Sequence, residues 1–525
     1  MTSTVAPAHA GRSSSALPLI VRGLFLGAVL GVVIWLAPVL IGLKQWMWLA
    51  VLLVSALAIF VLYSTKRFIP GKYIFPGTFF LLVFLVIPII LTVGYSFTNF
   101  GDGSRGTKEE AITTIVANSV QQSPDGKRYQ MSVATKADPT AGPFELFLVD
   151  PETQEVFRGS SEEELTKVDE GEVTLTDGRV TKADGYTILT PKEINAAGQA
   201  IQQVAVPVDD TRAIRMLTAN QAFEGTTTMR YDEATDTITN TTTKETYTVK
   251  KVGDSEYFVD SKGTALPQSW LQPVGFANYE RLFTNDKIIG QFGSAFVWTL
   301  AFAVLSVLTT FIVGFALALI LNDERMKGRR IYRSVLLMPY AVPGFIALLT
   351  WSNFYNRDFG LINQTLGLHL NWLGDPTLAK VAVLLTNLWM GFPYMFIVCT
   401  GALQAIPGDV MEAAKMDGAS RLQTTVKVVM PLLLVAVSPL LVASFAFNFN
   451  NFNAIELLTE GGPFAAGEYT RGGTDILISM IYRQAFGGSG ADFGFASAMS
   501  VALFVLTGAL AALQFKFTSA LEDVN

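Results

Sequence analysis

Eight stretches of about 20 residues run with hardly a charge, near 19–43, 46–64, 73–97, 292–321, 334–354, 381–403, 431–451 and 495–515. A helix of that length covers the hydrocarbon thickness of a bilayer. Lipid offers the backbone no hydrogen-bond partner but itself, so each stretch is expected to be a transmembrane helix. The first is too long for a signal-peptide core and is followed at once by a second, so it reads as an anchor. Composition agrees: 50% of the 525 residues are hydrophobic and 16% charged, against about 25% charged in soluble domains. An ordinary soluble enzyme is excluded.

Charge is unevenly spread. Residues 101–275 carry a net −11 and the remainder +5. An acidic, water-loving insert therefore interrupts a basic, apolar chain, and no concentrated basic face suits nucleic acid. With the N-terminus inside, the inner segments hold fourteen cations, among them Arg12, Arg22, Lys66, Arg67, Lys72, the cluster Arg325–Arg333, Lys415, Arg421, Lys427 and Lys516. The short outer segments hold five, Lys44, Arg357, Lys380, Arg471 and Arg483. The positive-inside rule then puts both termini in the cytoplasm and the insert outside. The insert alternates in short runs at 129–134, 144–149, 173–176 and 246–249. Turns such as Pro124-Asp125-Gly126 and Thr176-Asp177-Gly178 separate them, which predicts a mostly β domain. The acidic run 162–164 reads as a solvated face.

Chemistry-bearing residues are scarce. His9 and His369 are the only histidines and Cys399 the only cysteine. That excludes an intrachain disulfide and disfavours a His/Cys metal site or a Ser–His–Asp triad. Neither Gly71-Lys72 nor Gly126-Lys127 belongs to a phosphate loop, so ATP hydrolysis by this chain is not expected.

The segment 405–431, AIPGDVMEAAKMDGASRLQTTVKVVMP, reads as a helix–Gly–helix elbow. Pro407 suits the first turn of a helix, Asp409 and Glu412 suit its positive end, and Gly418 suits the left-handed residue that stops it. A second short helix over 421–427 then runs into the seventh span. Ala413 and Ala414 leave a thin side that another protein can approach closely, and Glu412 offers a carboxylate to a partner's cation. Glu412-Ala413-Ala414, three residues, Gly418, nine residues and Val428-x-Met430-Pro431 resemble the EAA loop of bacterial ABC importer permeases. Val428 and Met430 stand where that pattern has Ile and Leu. LLMPYAVPGF (336–345), MGFPYM (390–395), ASFAFNFNNF (443–452) and LLTEGGP (457–463) resemble the larger, MalF-type membrane subunit of maltose/maltodextrin importers. The likeness is good over about 276–517; for the first three spans it is one of layout, and for the insert one of position and size.

Read without any family, Ser444, Phe447, Asn448 and Asn451 fall at i, i+3, i+4, i+7 and share a helical face. Asn387, Met390, Gly391 and Tyr394 repeat that spacing in the sixth span, and Pro339 and Pro343 bracket Tyr340 in the fifth. Buried amides either bridge packed helices or meet sugar hydroxyls, a phenyl ring can stack on a pyranose, and broken helices at depth line cavities. The residues leave site and packing open. The resemblance favours the site, implying that Tyr340, Met390, Gly391, Tyr394, Ser444, Phe447, Asn448 and Asn451 line the sugar path. Gly344 stands where maltose relatives tend to carry Ser.

The expected fold is an all-α polytopic membrane protein with the ABC importer type I permease architecture and a mostly β extracytoplasmic insert. Its parts are a tail with three spans (1–98), the insert (99–280) and a five-span permease core (281–525) holding the coupling loop. The resemblance further implies a second permease (MalG-type), an ATPase homodimer (MalK-type) that binds ATP and Mg, and a periplasmic sugar-binding protein (MalE-type). It also implies alternating access and no cofactor in this chain. The rivals are the same machine for trehalose or another oligosaccharide, and an ion-coupled secondary transporter. The second is disfavoured because the spans hold no Asp or Glu except near their ends. A membrane enzyme lacks its paired carboxylates or its nucleophile and base.

Overall fold

A computed structural model describes residues 17–522, apart from 43–44, 66–67, 124–125, 140–141, 162, 170, 210, 324 and 488–489. His9, Arg12, Lys44, Lys66, Arg67, the Pro124-Asp125 turn and Glu162 lie outside the described residues. The chain divides into two compact units, 1–92 and 93–525. The first contains α1 (Leu17–Gly42), α2 (Trp46–Ser64) and most of α3 (Ile69–Tyr95). They are apolar on every side, as spans surrounded by lipid must be, and Phe25 on α1 meets Tyr63 on α2 at 5.3 Å between ring centres.

The second unit begins with the insert. Its first helix, α4 (Lys108–Asn118), is started by a capping box: Thr107 Oγ1 accepts the Glu110 N–H at 3.3 Å, and Glu110 Oε2 accepts the Thr107 N–H at 3.0 Å. Then come β1 (Val120–Gln122), β2 (Arg128–Asp138), β3 (Gly142–Val149), β4 (Val156–Gly159), β5 (Thr166–Lys167), β6 (Val173–Thr176), β7 (Arg179–Ala183) and β8 (Thr187–Ile188). Two short helices, α5 (Pro191–Ala196) and α6 (Gly198–Gln202), precede β9 (Ala205–Asp209), β10 (Arg212–Thr218) and β11 (Gln221–Thr227). Last are β12 (Met229–Asp232), β13 (Thr237–Asn240), β14 (Thr246–Val252) and β15 (Ser255–Val259). Among the described residues, one antiparallel sheet follows the path β5-β4-β3-β2-β11-β10-β9, with β1 on β11 and β8 on β2. β12–β15 form a meander and β6–β7 a ribbon. The four alternating runs expected as strands all fall within β2, β3, β6 and β14. The ribbon turns at Asp177 (φ 50°) and Gly178 (φ 71°), two left-handed residues in a row, which is what the right-handed twist of a two-residue hairpin requires. Leu146, Leu148, Ile201, Val206 and Ile214 are fully buried in one cluster, while Phe258, Ile238 and Trp270 belong to a second, smaller one.

The permease core comprises α7 (Ala277–Thr284), α8 (Asp286–Asn322), α9 (Arg329–Leu336), α10 (Gly344–Phe354), α11 (Leu361–Leu366), α12 (Pro376–Ala405) and α13 (Gly408–Met416). It is completed by α14 (Arg421–Phe449), α15 (Phe452–Thr459), α16 (Leu477–Phe486) and α17 (Phe493–Glu522). Among the described residues, seven helices are long and apolar enough to cross a membrane. The eighth expected span, 334–354, is built in pieces: α9, a 3-10 turn at Met338–Ala341, an extended break at Val342 and then α10. Proline explains the break, since Pro339 and Pro343 each lack the N–H a continuous helix would use. The seventh span also ends early. α14 stops at Phe449, and Asn451 caps α15 instead of extending the face that carries Ser444, Phe447 and Asn448.

Hydrogen bonds tie the insert to the core at its base. The Asp102 N–H donates to the Ala491 carbonyl (2.8 Å), the Ala491 N–H to Asp102 Oδ2 (2.8 Å) and the Gly494 N–H to the Phe100 carbonyl (2.7 Å). The returning segment bonds beside them, Asn99 N–H to Gln272 O at 3.1 Å and Val274 N–H to Phe97 O at 2.8 Å. This collar joins the insert's root to the first turn of α17.

Candidate functional site

α8 and α12 approach through small residues. A Cβ on Gly314 of α8 would lie 2.6 Å from Met395 Cβ, and one on Gly391 of α12 would lie 2.9 Å from Thr310 Cγ2. Small residues are how membrane helices bring their backbones together. Thr310 and Gly391 of this contact also line a cavity of about 530 Å³, whose other walls are the broken α9–α10 segment, α12, α14 and α15. All eight residues expected along the sugar path line it: Tyr340, Met390, Gly391, Tyr394, Ser444, Phe447, Asn448 and Asn451. Gly344, Asn387, Thr310, Phe345 and Asn453 join them. Among the described residues the wall carries no Asp, Glu, Lys, Arg or His. It can therefore hold a neutral, hydroxyl-rich ligand and has no counter-charge for an ion.

The wall residues divide into two kinds. Asn387 Nδ2 donates to Asn448 Oδ1 at 2.9 Å, Asn451 Nδ2 donates to Asn387 Oδ1 at 3.3 Å, and Asn448 Nδ2 donates to the Ser444 carbonyl at 2.8 Å. Asn451 Oδ1 accepts the Ala454 N–H at 3.2 Å and so starts α15. Asn387 and Asn448 are buried, at 8% and 6% exposure. These amides bridge α12, α14 and α15, so packing and cavity wall are both roles of the same row. Phe447, by contrast, is 70% exposed and Tyr340 55%; these rings present free surface to the cavity. Asn387 headed the i, i+3, i+4, i+7 row of the sixth span, and that spacing was its signal. Thr310 and Asn453 had none, because nothing periodic in sequence sets them beside the row.

The C-terminal end of α15 is tied to the loop that follows it, Thr459 Oγ1 to Thr474 Oγ1 at 2.7 Å, and that loop is held in turn. Trp298 Nε1 donates to the Thr474 carbonyl (3.0 Å), the Leu477 N–H donates to Thr299 Oγ1 (2.9 Å), and Arg483 Nε reaches fully buried Asp475 at 3.3 Å. These bonds hold the loop 460–475 against α8 and α16.

The elbow forms as its sequence implies. α13 follows Pro407, and Gly418 has φ 78°. The Ala419 N–H bonds the Ala414 carbonyl (3.0 Å) and the Gly418 N–H the Lys415 carbonyl (3.1 Å), the paired closure of a Schellman stop. Ser420 begins the next helix with a capping box to Gln423. Glu412 and Ala413 are exposed, whereas Ala414 is half-buried. Met416 and Leu422 stand 89% and 73% exposed. Met411, Ile406 and Met430 pack with Leu321, Leu403 and Leu433, so the elbow is keyed to three long helices.

Residues 311–519 match the family described as binding-protein-dependent transport system inner membrane component, and residues 79–162 match the N-terminal part of the TM subunit in PBP-dependent ABC transporters. With seven spanning helices, these define the class: a multi-pass inner-membrane permease subunit of an ABC importer, which translocates and does not catalyse. The chain is 35% identical over 487 residues to the maltose/maltodextrin transport system permease protein MalF of Salmonella typhimurium, covering 89% of this chain and 90% of that protein. Identity to the protein of that name from Vibrio vulnificus is 34% over 494 residues (89% and 88%), and to that from Escherichia coli 32% over 520 residues (96% and 97%). The chain belongs to the MalF family.

Proposed function

We propose that this chain forms one half of the membrane pathway of a maltose/maltodextrin importer. The supporting observation is the convergence of Tyr340, Met390, Gly391, Tyr394, Ser444, Phe447, Asn448 and Asn451 on one uncharged cavity at a helix break. Phe447 offers the stacking face. Tyr340, Tyr394 and Ser444 offer hydroxyls, and the Asn448 and Asn451 amides each keep one N–H not used in the bridges. A smaller permease (MalG-type) completes the pathway, and a MalE-type periplasmic protein delivers the sugar. A MalK-type ATPase dimer holds ATP and Mg and engages Glu412, Ala413 and Ala414, with Gly418 permitting the turn. The cation bias of the short loops supports cytoplasmic termini and a periplasmic insert. Closure of the ATPases would draw the elbows together and rock α8, α12 and α14, opening the cavity to the outside.

One observation favours a second sugar. Gly344 lines the cavity without a side chain, where the resemblance to maltose carriers implies Ser, and the missing hydroxyl is the ground for weighing a different neutral oligosaccharide such as trehalose. The reading is tested by uptake of labelled maltose, maltotriose and trehalose in proteoliposomes holding the assembled transporter and its binding protein. Maltose uptake is expected, and Phe447→Ala is expected to lower it several-fold per assembled complex with assembly unchanged. Unchanged uptake per complex would remove the cavity from the sugar path, and uptake of trehalose alone would move the assignment to that sugar.

A further inference from the structure

Between the end of the spanning helix α8 at Asn322 and the start of α10 the chain leaves the apolar run, and residues 323–333 carry five cations against two acids. One of the five is spoken for: Arg333 Nη2 donates to the Leu321 carbonyl at 3.3 Å and neutralises the C-terminal end of α8. Arg325, Lys327 and Arg330 are exposed and Arg329 half-buried, and none of the four is ion-paired among the described residues. On α9 the arginines at 329, 330 and 333 occupy one arc. Ile331 and Val335 occupy the opposite arc and stand 69% and 56% exposed. Leu336 and Leu337 turn inward onto the α8–α12–α14 cluster, while Tyr332 stands 51% exposed. A short helix at a membrane edge with an open apolar arc and a cationic arc has the composition of a surface that settles on anionic lipid.

We propose that Arg325, Lys327, Arg329 and Arg330, with Ile331 and Val335, bind an anionic phospholipid of the leaflet they face. The lipid phosphate meets the cations and its acyl chain covers the apolar arc. The inference rests on α8 being a spanning helix that ends at Asn322, just before these cations, and is independent of the sugar assignment. The patch is also well placed to influence the cavity. The Arg333 carbonyl accepts the Leu337 N–H (3.2 Å) and the Leu337 carbonyl accepts the Tyr340 N–H (3.0 Å), so α9 and the turn bearing Tyr340 are one hydrogen-bonded run.

The test uses the assembled transporter in detergent, with native mass spectrometry of bound phosphatidylglycerol against phosphatidylcholine. A preference of about tenfold for phosphatidylglycerol is expected. It should fall toward parity in the variant R325Q/K327Q/R329Q/R330Q, and persist when inorganic phosphate is added in excess. Equal retention of the two lipids, an unchanged preference in the variant, or displacement by phosphate alone would each overturn the proposal. Should the fourfold variant fail to assemble, K327Q/R330Q, which changes only exposed side chains, carries the same comparison. A photo-crosslinker at Ile331 is expected to capture lipid in phosphatidylglycerol-containing vesicles; capture of a partner subunit instead would show the arc covered by protein and overturn the lipid reading.

Discussion

In the insert, Leu146, Leu148, Ile201 and Ile214 are fully hidden, and the surface carries Thr, Asp and Glu. On α8 the pattern is reversed at the surface: Val297, Leu308 and Ile312 stand 65%, 48% and 53% exposed, while Thr299, Ser306 and Thr310 are buried. Water drives the first arrangement by expelling apolar area. Lipid gives no such drive between helices, so the core holds together through close packing of small residues and bonds between polar ones. The two regions therefore fail in different ways when a single side chain changes.

The largest expected effect is in the insert. Phe258 is fully buried, with rings of Tyr231 and Trp270 at 6.3 and 5.9 Å. Phe258→Ala is expected to cost about 3–5 kcal/mol. Protease should then cut within 229–259 in intact membranes while the spans stay resistant. Simultaneous loss of the core would break the comparison and make the two regions one cooperative unit through the collar.

Next comes the core. Gly314→Ala places its Cβ 2.6 Å from Met395 Cβ and 2.7 Å from the Met395 carbonyl carbon, where backbone cannot yield. An overpacking cost of about 1–3 kcal/mol follows. The melting temperature of the purified complex should fall with the insert still protease-resistant. An unchanged melting curve would show that α8 and α12 are not held by this contact.

A change in the amide bridge should be of similar size but double in character. Asn448→Ala leaves Asn387 Nδ2, 8% exposed, without its acceptor. An unpaired buried donor costs about 1–3 kcal/mol, and the change also removes a cavity wall group. Both assembled complex and uptake per complex should drop, unlike Phe447→Ala, which should lower uptake alone. Normal assembly with lost uptake would return Asn448 to a purely ligand-facing role.

These outcomes bear on what could be read in advance. Helix spans, strand runs and the elbow were legible because each depends on local terms: apolar length, alternation, proline at a helix start and glycine at its stop. Phe447 and its row were legible because helical spacing puts them on one face, and Tyr340 because Pro339 and Pro343 bracket it at a helix break. The collar was not, since Asp102 and Ala491 are brought together only by the tertiary fold and bond largely through backbone. Nor was the double use of Asn448 and Asn387, because spacing reveals which amides share a face but not which of their atoms are already taken. Asn451 shows the limit of periodicity, for it sits at the right place in the cavity by capping α15 rather than by extending α14.

The smallest expected effect separates wall from scaffold most cleanly. A Cβ on Gly344 would meet only Met390 Cε, at 3.5 Å, an ordinary contact, and the backbone there is not left-handed. Gly344 is also the first residue of α10, where no intrahelical N–H bond is lost. Gly344→Ser should therefore change stability by no more than about 0.5 kcal/mol. The new hydroxyl would stand in the cavity next to Met390, adding a donor and acceptor and removing space. Melting and assembly should be unchanged while the ratio of maltose to trehalose and maltotriose uptake shifts. A changed melting temperature would assign Gly344 to packing, as with Gly314. An unmoved sugar ratio on an unmoved scaffold would show that the selected ligand does not touch this side of the cavity.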